Sequence, residues 1–566
     1  MRWPVGPAIS CTKWGGATTA SSMRGCPAGS PEATRSTART PAPSPNTSMI
    51  ATRELARAAE AGLEYLGTQK GIRECEVFVA ANGSLLARLN YTSHIPCNGV
   101  EEPKSTESCG LQVVFESGDG ATIGFGSEPS DLTLEGVKRA LDKARKGAVP
   151  DPEFVSLPRP SGEARTLWDY HDRRLLELRD DDLVEAGWRV VTGALRTFTA
   201  SSALVDLASS DAALKRLGLI AGGDVTILQE RIAVATTHMP RVQTDESTPI
   251  MAFVTAMVEA KDAKGSGWST GTRLDHFTDE AGVDAATQAI RATDGVRMPT
   301  GDYAVIFGKQ PVADLLNNIV IPACSARSIY SLTSPFTGKL GKLVASPLLN
   351  IYDHGAMPGL MGSKGITCEG LPTGRTDLIK NGVFAGVLSN WYESQRLLRD
   401  PQLAEKLGVD DARAAAAALA PRNGFRFDAG GGRQFDSPPG VSPSNVIVEG
   451  NSPVSLEELI RTVANGLYIG RIWYTYPING LRAGDFTCTV VGDSYVIRDG
   501  RLAAPLKANT LRINDNIAKV LRDILGITKD VKGTLVWAAD EVVYAPEIAC
   551  SGIHVEEIAG FMEALP

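Results

Sequence analysis

From Gly301 onward the apolar runs are only a few residues long, separated at close intervals by Gly, Pro, Asn and Asp. A chain punctuated this way cannot sustain long helices, and it predicts a β-rich domain over residues 300–566. Two helical stretches interrupt it. Residues 311–321 place Pro311 in the first turn, where its missing N–H costs nothing. Residues 455–466 open on Ser455 with Glu458 three positions later, the pattern of a capping box.

Upstream the period changes. Leu55, Ala56, Ala59, Leu63 and Leu66 recur at helical spacing and predict a helix over about residues 52–70. Val77 and Val79 mark a strand over 74–80, and residues 85–91, 110–116 and 121–125 are further strand candidates. Gly118, Asp119 and Gly120 supply hairpin-turn chemistry. Ser130 and Asp131 open a helix with Leu134, Val137, Leu141 and Ala144 on one face, and Gly147 stops it. Pro150, Pro152, Pro158 and Pro160 then close an N-terminal α+β domain, 49–160, with an antiparallel sheet. A central domain follows, 161–299. Its helix after Asp180, Asp181 and Asp182 carries Leu183, Ala186, Val190, Val191 and Leu195. Strand-like runs at 203–207, 217–220, 231–236 and 251–258 precede a helix over 280–293. The fold class is α+β, two such units followed by the larger β-rich domain.

Residues 1–48 differ from the rest. They are rich in Ser, Thr, Pro, Ala and Gly, with five basic residues and one acid, Glu32. A disordered extension, an organellar transit segment and a true translation start at Met49 all fit this composition. Across the chain, 57 Lys and Arg against 65 Asp and Glu give a net charge of -8. That argues against a nucleic-acid binder, which needs a basic patch. No run of about 18 apolar residues offers a membrane span. Nine cysteines at wide spacing, without a CxxC, fit neither a disulfide framework nor a zinc ribbon. They predict a reducing compartment, the cytoplasm.

Catalytic motifs are scarce. The chain has no GxxxxGK[ST] loop and no GxGxxG between strand and helix. No two of its six histidines lie within one helical turn. Cys550 and His554 are four apart, but on a strand that spans about 13 Å, too far for one ion. Asp353 beside His354 suggests acid–base work, yet neighbours on a strand point to opposite faces. Gly430, Gly431 and Gly432 read as a linker loop.

The ordering of short motifs carries more. Residues 302–308, Asp-Tyr-Ala-Val-Ile-Phe-Gly, lead into a helix containing Ala313-Asp-Leu-Leu316. Gly338-Lys-Leu-Gly341 and Val344-Ala-Ser346 precede Asn350-Ile-Tyr-Asp353, and then come Glu369-Gly370, Gly374-Arg375-Thr376 and Asn381-Gly-Val383. Ser444-Asn445-Val446, Gly450, Leu456-Glu-Glu-Leu459, Asn465-Gly-Leu-Tyr468 and Gly484-Asp-Phe486 complete the series. Gly110-Leu-Gln-Val113 and Asp151-Pro152 extend it upstream. In order and content this resembles the TldD/PmbA family of metalloprotease-related proteins over roughly residues 52–566.

The resemblance implies a two-subunit peptidase whose TldD-type chains carry His-Glu-x-x-x-His on the helix after residues 302–308, with a distant cysteine as third zinc ligand. Here Asn317 and Asn318 stand at the His and Glu positions, and Pro322 at the second His. Neutral amides and a proline make no zinc site and leave no general base. Residues 535–545 also contain no cysteine. The departure is similar to the PmbA, or TldE-like, branch, which carries no metal and pairs with a TldD subunit. The resemblance then implies no catalytic residue, metal or cofactor in this chain, zinc in a TldD-like partner, and unfolded or modified peptide as substrate. This chain would close the chamber and hold extended peptide, with Asp353, Glu369, Arg375 and Asn445 as peptide-facing candidates. A non-hydrolytic peptide- or metabolite-binding protein, and an enzyme of unrelated chemistry on the same scaffold, are the alternatives.

Overall fold

The computed structural model describes residues 50–94, 99–117, 122–428, 431–535 and 542–558. The readings of residues 1–48, of the 118–120 turn and of Gly430 in the glycine loop fall outside them.

The N-terminal half is built on one long hairpin. Strand β1 (Glu74–Thr92) pairs antiparallel with β2 (Lys104–Ser117), and β2 with β3 (Thr122–Pro129). The runs predicted at 74–80 and 85–91 are one strand, because Ala81, Asn82, Gly83 and Ser84 stay in register with both neighbours. On its other side β1 pairs with β4 (Leu219–Thr236), which fuses the predicted runs 217–220 and 231–236. Next come β5 (Gln243–Ser247), β6 (Ile250–Val258) and β7 (Ala263–Gly271). The sheet order is Val149–Pro150, β3, β2, β1, β4, β6, β7, with β5 also pairing to β4. Strands from 49–160 and from 161–299 therefore share a single sheet.

Period-2 alternation decides what each face of β1 meets. Val77, Val79 and Ala81 pack under helices α1 (Thr52–Gly67) and α2 (Leu134–Lys146). Leu85, Ala87 and Leu89, on the same face farther along, pack under α3 (Asp180–Thr199) and α4 (Glu280–Arg291). One sheet face thus carries two helix-covered cores. The opposite face presents Phe78 and Ala80 with Ile232 and Val234 of β4, and these meet Ile366, Cys368, Phe425 and Phe435 of the C-terminal half. The run predicted as a strand at 203–207 is instead a helix, Ser202–Ala208. The Ser201 side chain accepts from the Leu204 N–H at 3.3 Å, and this N-cap overrides an alternation of only five residues.

The C-terminal half is β-rich, as its punctuation predicts. A six-stranded sheet contains β9 (Leu349–His354), β10 (Arg375–Lys380) and β11 (Asn445–Gly450). A nine-stranded sheet contains β8 (Gly301–Phe307), β12 (Arg471–Pro477), β13 (Asp485–Gly492), β14 (Leu511–Asn516) and β15 (Ile548–Glu557). Helix α5 follows β8 and runs over residues 309–323, buried through Val312, Leu315, Leu316, Ile319 and Val320. Leu456–Val463 is the second predicted helix, capped by Ser455, whose Oγ accepts from the Glu458 N–H at 3.2 Å. Cys550 is buried on β15, while His554 reaches Asp302 at 2.8 Å near the surface, so the two do not converge.

Candidate functional site

The helix that would carry a zinc motif is not a regular α-helix. Residues Lys309–Leu315 are α-helical, Leu316–Val320 form a π turn, and Ile321–Ala323 resume the α form. The wide turn falls on Asn317 and Asn318, and such insertions concentrate at functional sites. Asn318 Nδ2 donates to the Asp314 carbonyl at 2.8 Å and to Asp314 Oδ1 at 3.3 Å. Thr475 on β12 donates its hydroxyl to Asp314 Oδ2. Burial pushes the Asp314 carboxyl up to about 6, against the pull of Thr475 and Asn318. Asn317 Oδ1 is buried and has no hydrogen-bond partner.

These residues do not fit zinc. Asn318 spends its amide on its own helix, Pro322 has no donor atom, and a neutral amide oxygen at Asn317 cannot replace an imidazole. Among the described residues, no three His, Cys, Asp or Glu side chains are grouped to hold a metal ion.

Helix α5 lies along an edge. Strand β12 ends the nine-stranded sheet, so among the described residues one side of its backbone is unpaired by any strand. Gln310 covers part of it. Its Oε1 accepts from the Ile472 N–H at 2.9 Å and its Nε2 donates to the Ile472 carbonyl at 3.3 Å. The side-chain amide thus imitates one residue of a further strand, which blunts the edge at that position. Beyond it the strand breaks register between Trp473 and Tyr476, with Tyr474 at a φ of 54°. The result is a cluster of outward rings. Trp473 is 51%, Tyr474 67% and Tyr476 54% exposed, and the Trp473 and Tyr474 rings stack at 5.6 Å. Tyr474, Tyr476 and Ile478 line an open trough of about 600 Å³ with Thr487, Thr489, Arg512 and Asn514.

The four peptide-facing candidates lie elsewhere: Asp353, Arg375 and Asn445 come from adjoining strands of the six-stranded sheet, and Glu369 from the turn before β10. Asp353 on β9 is buried and accepts from Ser444 N at 2.7 Å, Ser444 Oγ at 3.1 Å and Asn423 Nδ2 at 2.7 Å. Asn445 on β11 is also buried. Its Oδ1 takes the Gly362 N–H at 2.8 Å, and its Nδ2 donates to the His354 carbonyl and Ser363 Oγ, both at 3.0 Å. Both residues tie loops to the six-stranded sheet, because a buried polar group must find partners inside the fold. Arg375 is on the surface, bonded to Asp377 at 2.7 Å and stacked 3.6 Å above the Tyr352 ring. Glu369 is buried but borders a cavity of about 260 Å³ between β2, β3 and helix α6 (Trp391–Leu398).

Sequence reasoning passed over a buried ionic cluster. On the sheet face that meets the C-terminal half, Arg433 reaches Glu230 Oε1 through its backbone N–H at 2.9 Å and Nε at 3.2 Å. Its Nη1 reaches Asp245 Oδ2 at 2.9 Å. Lys364 and Ser247 also donate to Glu230, and Arg165 holds Asp245 Oδ1 at 2.7 Å. Burial pushes the Glu230 carboxyl up, but Lys364 and Arg433 overcome this and hold it near about 2. The available signal was Glu230 itself, a charge where strand alternation demands an inward residue.

Residues 300–557 match the family described as the PmbA/TldA metallopeptidase C-terminal domain. The chain is 30% identical over 192 residues to the metalloprotease slr0863 of Synechocystis sp., covering 34% of each protein. It is 25% identical over 261 residues to a metalloprotease TldD homolog of Buchnera aphidicola, covering 46% of this chain and 47% of the relative. These matches span less than half the length of those relatives. The structure of TldE from Thermococcus kodakarensis superposes with a TM-score of 0.70 over 88% of this chain and 100% of that one, at 18% identity, a likeness of fold. The TldD/PmbA resemblance read from short motifs is therefore shown for residues 300–557, which match the PmbA/TldA metallopeptidase C-terminal domain family.

Proposed function

We propose that this chain is the metal-free subunit of a TldD/PmbA-type heterodimeric metallopeptidase acting on unfolded or modified peptides in the cytoplasm. A zinc-bearing TldD-like subunit supplies the metal and the activated water. This chain closes the chamber and helps hold extended peptide. The observation that carries the reading is Asn318 folded back onto Asp314 at the position where zinc-bearing chains of the family place glutamate. The ring cluster on β12 supports it. Aromatic side chains beside an edge strand suit an extended chain, which gains main-chain hydrogen bonds with little demand on sequence.

The test is co-expression of an affinity-tagged chain with a homologue that carries His-Glu-x-x-x-His. The reading expects a stoichiometric complex that cleaves an unfolded peptide, with neither subunit active alone. Peptide binding without turnover in the joint preparation would instead favour a presenting protein.

A further inference from the structure

The cavity beside Glu369 has a composition that the rest of the fold does not explain. Its volume is about 260 Å³. Sites for drug-sized ligands run from roughly 300 to 1,000 Å³, so this one suits a molecule about as large as a single amino-acid residue. Val114, Ile123, Phe125, Leu157 and Trp391 form apolar walls. Glu76, Glu369 and Arg426, all buried, also line it.

Arg426 Nη2 donates to Glu76 Oε1 at 2.5 Å, and the guanidinium lies 4.1 Å from the centre of the Phe78 ring. Its Nε and Nη1 are buried without a hydrogen-bond partner. A buried donor left unmet is costly, and native folds keep few of them. Glu369 spends both carboxyl oxygens on one donor, the Trp391 N–H, at 3.0 and 3.1 Å. Gly424 makes room for that carboxyl, since a Cβ there would sit 2.1 Å from Glu369 Oε2. The chain has thus omitted a side chain to seat Glu369 next to an arginine with donors to spare. What the two remaining donors of Arg426 lack is an acceptor.

We propose that this cavity binds a small amphipathic carboxylate, its carboxyl group accepting from Arg426 and its apolar body packing against Leu157, Ile123 and Trp391. Binding draws the guanidinium's unmet donors toward the ligand. Burial, with Glu76 adding to it against the Trp391 N–H and Arg426, raises the Glu369 carboxyl to about 8. Near neutral pH Glu369 is therefore mostly a hydroxyl donor to such a ligand rather than a second repelling anion. The site needs only this chain and stands apart from the subunit reading above.

The experiment is ligand-observed NMR on the full chain. The probes are N-acetyl-L-phenylalanine, the corresponding amide, and a tetrapeptide ending in a free phenylalanine carboxylate. The acid is expected to bind at least about tenfold more tightly than the amide, a difference of about 1.4 kcal/mol. Binding of the tetrapeptide as well would identify a peptide terminus as the source, and its failure beside a binding acid would identify a free small molecule. Arg426→Gln should abolish acid binding. Because that variant also unpairs Glu76, Val441→Trp serves as the second, filling the cavity from a short strand at its rim. Absence of acid binding at millimolar concentration, equal binding of acid and amide, or acid binding retained in Val441→Trp would overturn the proposal.

Discussion

Asn318 donates its side-chain amide to the carbonyl of Asp314, one turn back on its own helix, at 2.8 Å. Where zinc-bearing members of the family are expected to aim a carboxylate at a metal-bound water, this chain ties an amide to its backbone. Asp314 is held in turn by Thr475 on the edge strand. The helix is thereby fixed to β12 by the segment that would otherwise be catalytic.

Asn318→Ala should cost no more than about 1 kcal/mol of stability, the usual net worth of one such hydrogen bond. It should leave peptide turnover by the proposed two-subunit complex unchanged. Urea unfolding of the chain and a turnover assay of the complex check the two parts.

The ionic cluster around Glu230 should matter far more to stability. Lys364→Met leaves a buried carboxylate with one cation fewer and should destabilise by about 3–5 kcal/mol. Arg422→Ala, which breaks the exposed pair to Glu163, should cost less than about 1 kcal/mol. The same urea series compares them directly.

Two buried carboxyls give opposite pH signatures. Glu230 is held near about 2 in the fold against an ordinary value of 4.5, so it contributes stability above 4.5 that is lost as pH falls toward about 2. Glu369 is raised to about 8. The folded chain keeps a proton that the unfolded chain releases above 4.5, so stability falls as pH rises through this window to about 8. Glu369→Gln should therefore gain stability relative to the wild type as pH climbs from 5 to 9, about 1.4 kcal/mol per unit at most. A pH series of thermal unfolding reads the difference.

Replacing Trp473 and Tyr476 together by Ser should leave thermal stability nearly unchanged, since both rings are more than half exposed. It should weaken association with the zinc-bearing subunit or with peptide at least about tenfold, as loss of aromatic anchors does in other interfaces. Calorimetric titration of the purified variant would show it.

The sequence was most legible where one period ran uninterrupted. Helices α1, α2, α3 and α4, the capped helix after Ser455 and the β-rich C-terminal half follow from apolar spacing and punctuation. The single long β1 was harder to see, because Asn82, Gly83 and Ser84 carry turn chemistry and nothing local shows that two neighbouring strands hold them extended. The helix at Ser202–Ala208 is hidden because Ala203, Val205 and Leu207 also alternate, a pattern that does not single out Ser201, whose side chain caps it. At the candidate site, the reading of Asn317, Asn318 and Pro322 as the zinc-motif positions rests on the resemblance, not on any local pattern. Burial of Asp353 and Asn445, and the meeting of Arg426 with Glu76 and of Arg433 with Glu230, depend on contacts across hundreds of residues that no local pattern encodes.

The most direct measurement is elemental zinc analysis of the purified chain, alone and after assembly with a His-Glu-x-x-x-His homologue. The account predicts no bound zinc in the chain alone, and one zinc per heterodimer in a complex that cleaves unfolded peptide. One zinc per chain in the isolated protein, or peptide cleavage by the chain alone, would contradict it.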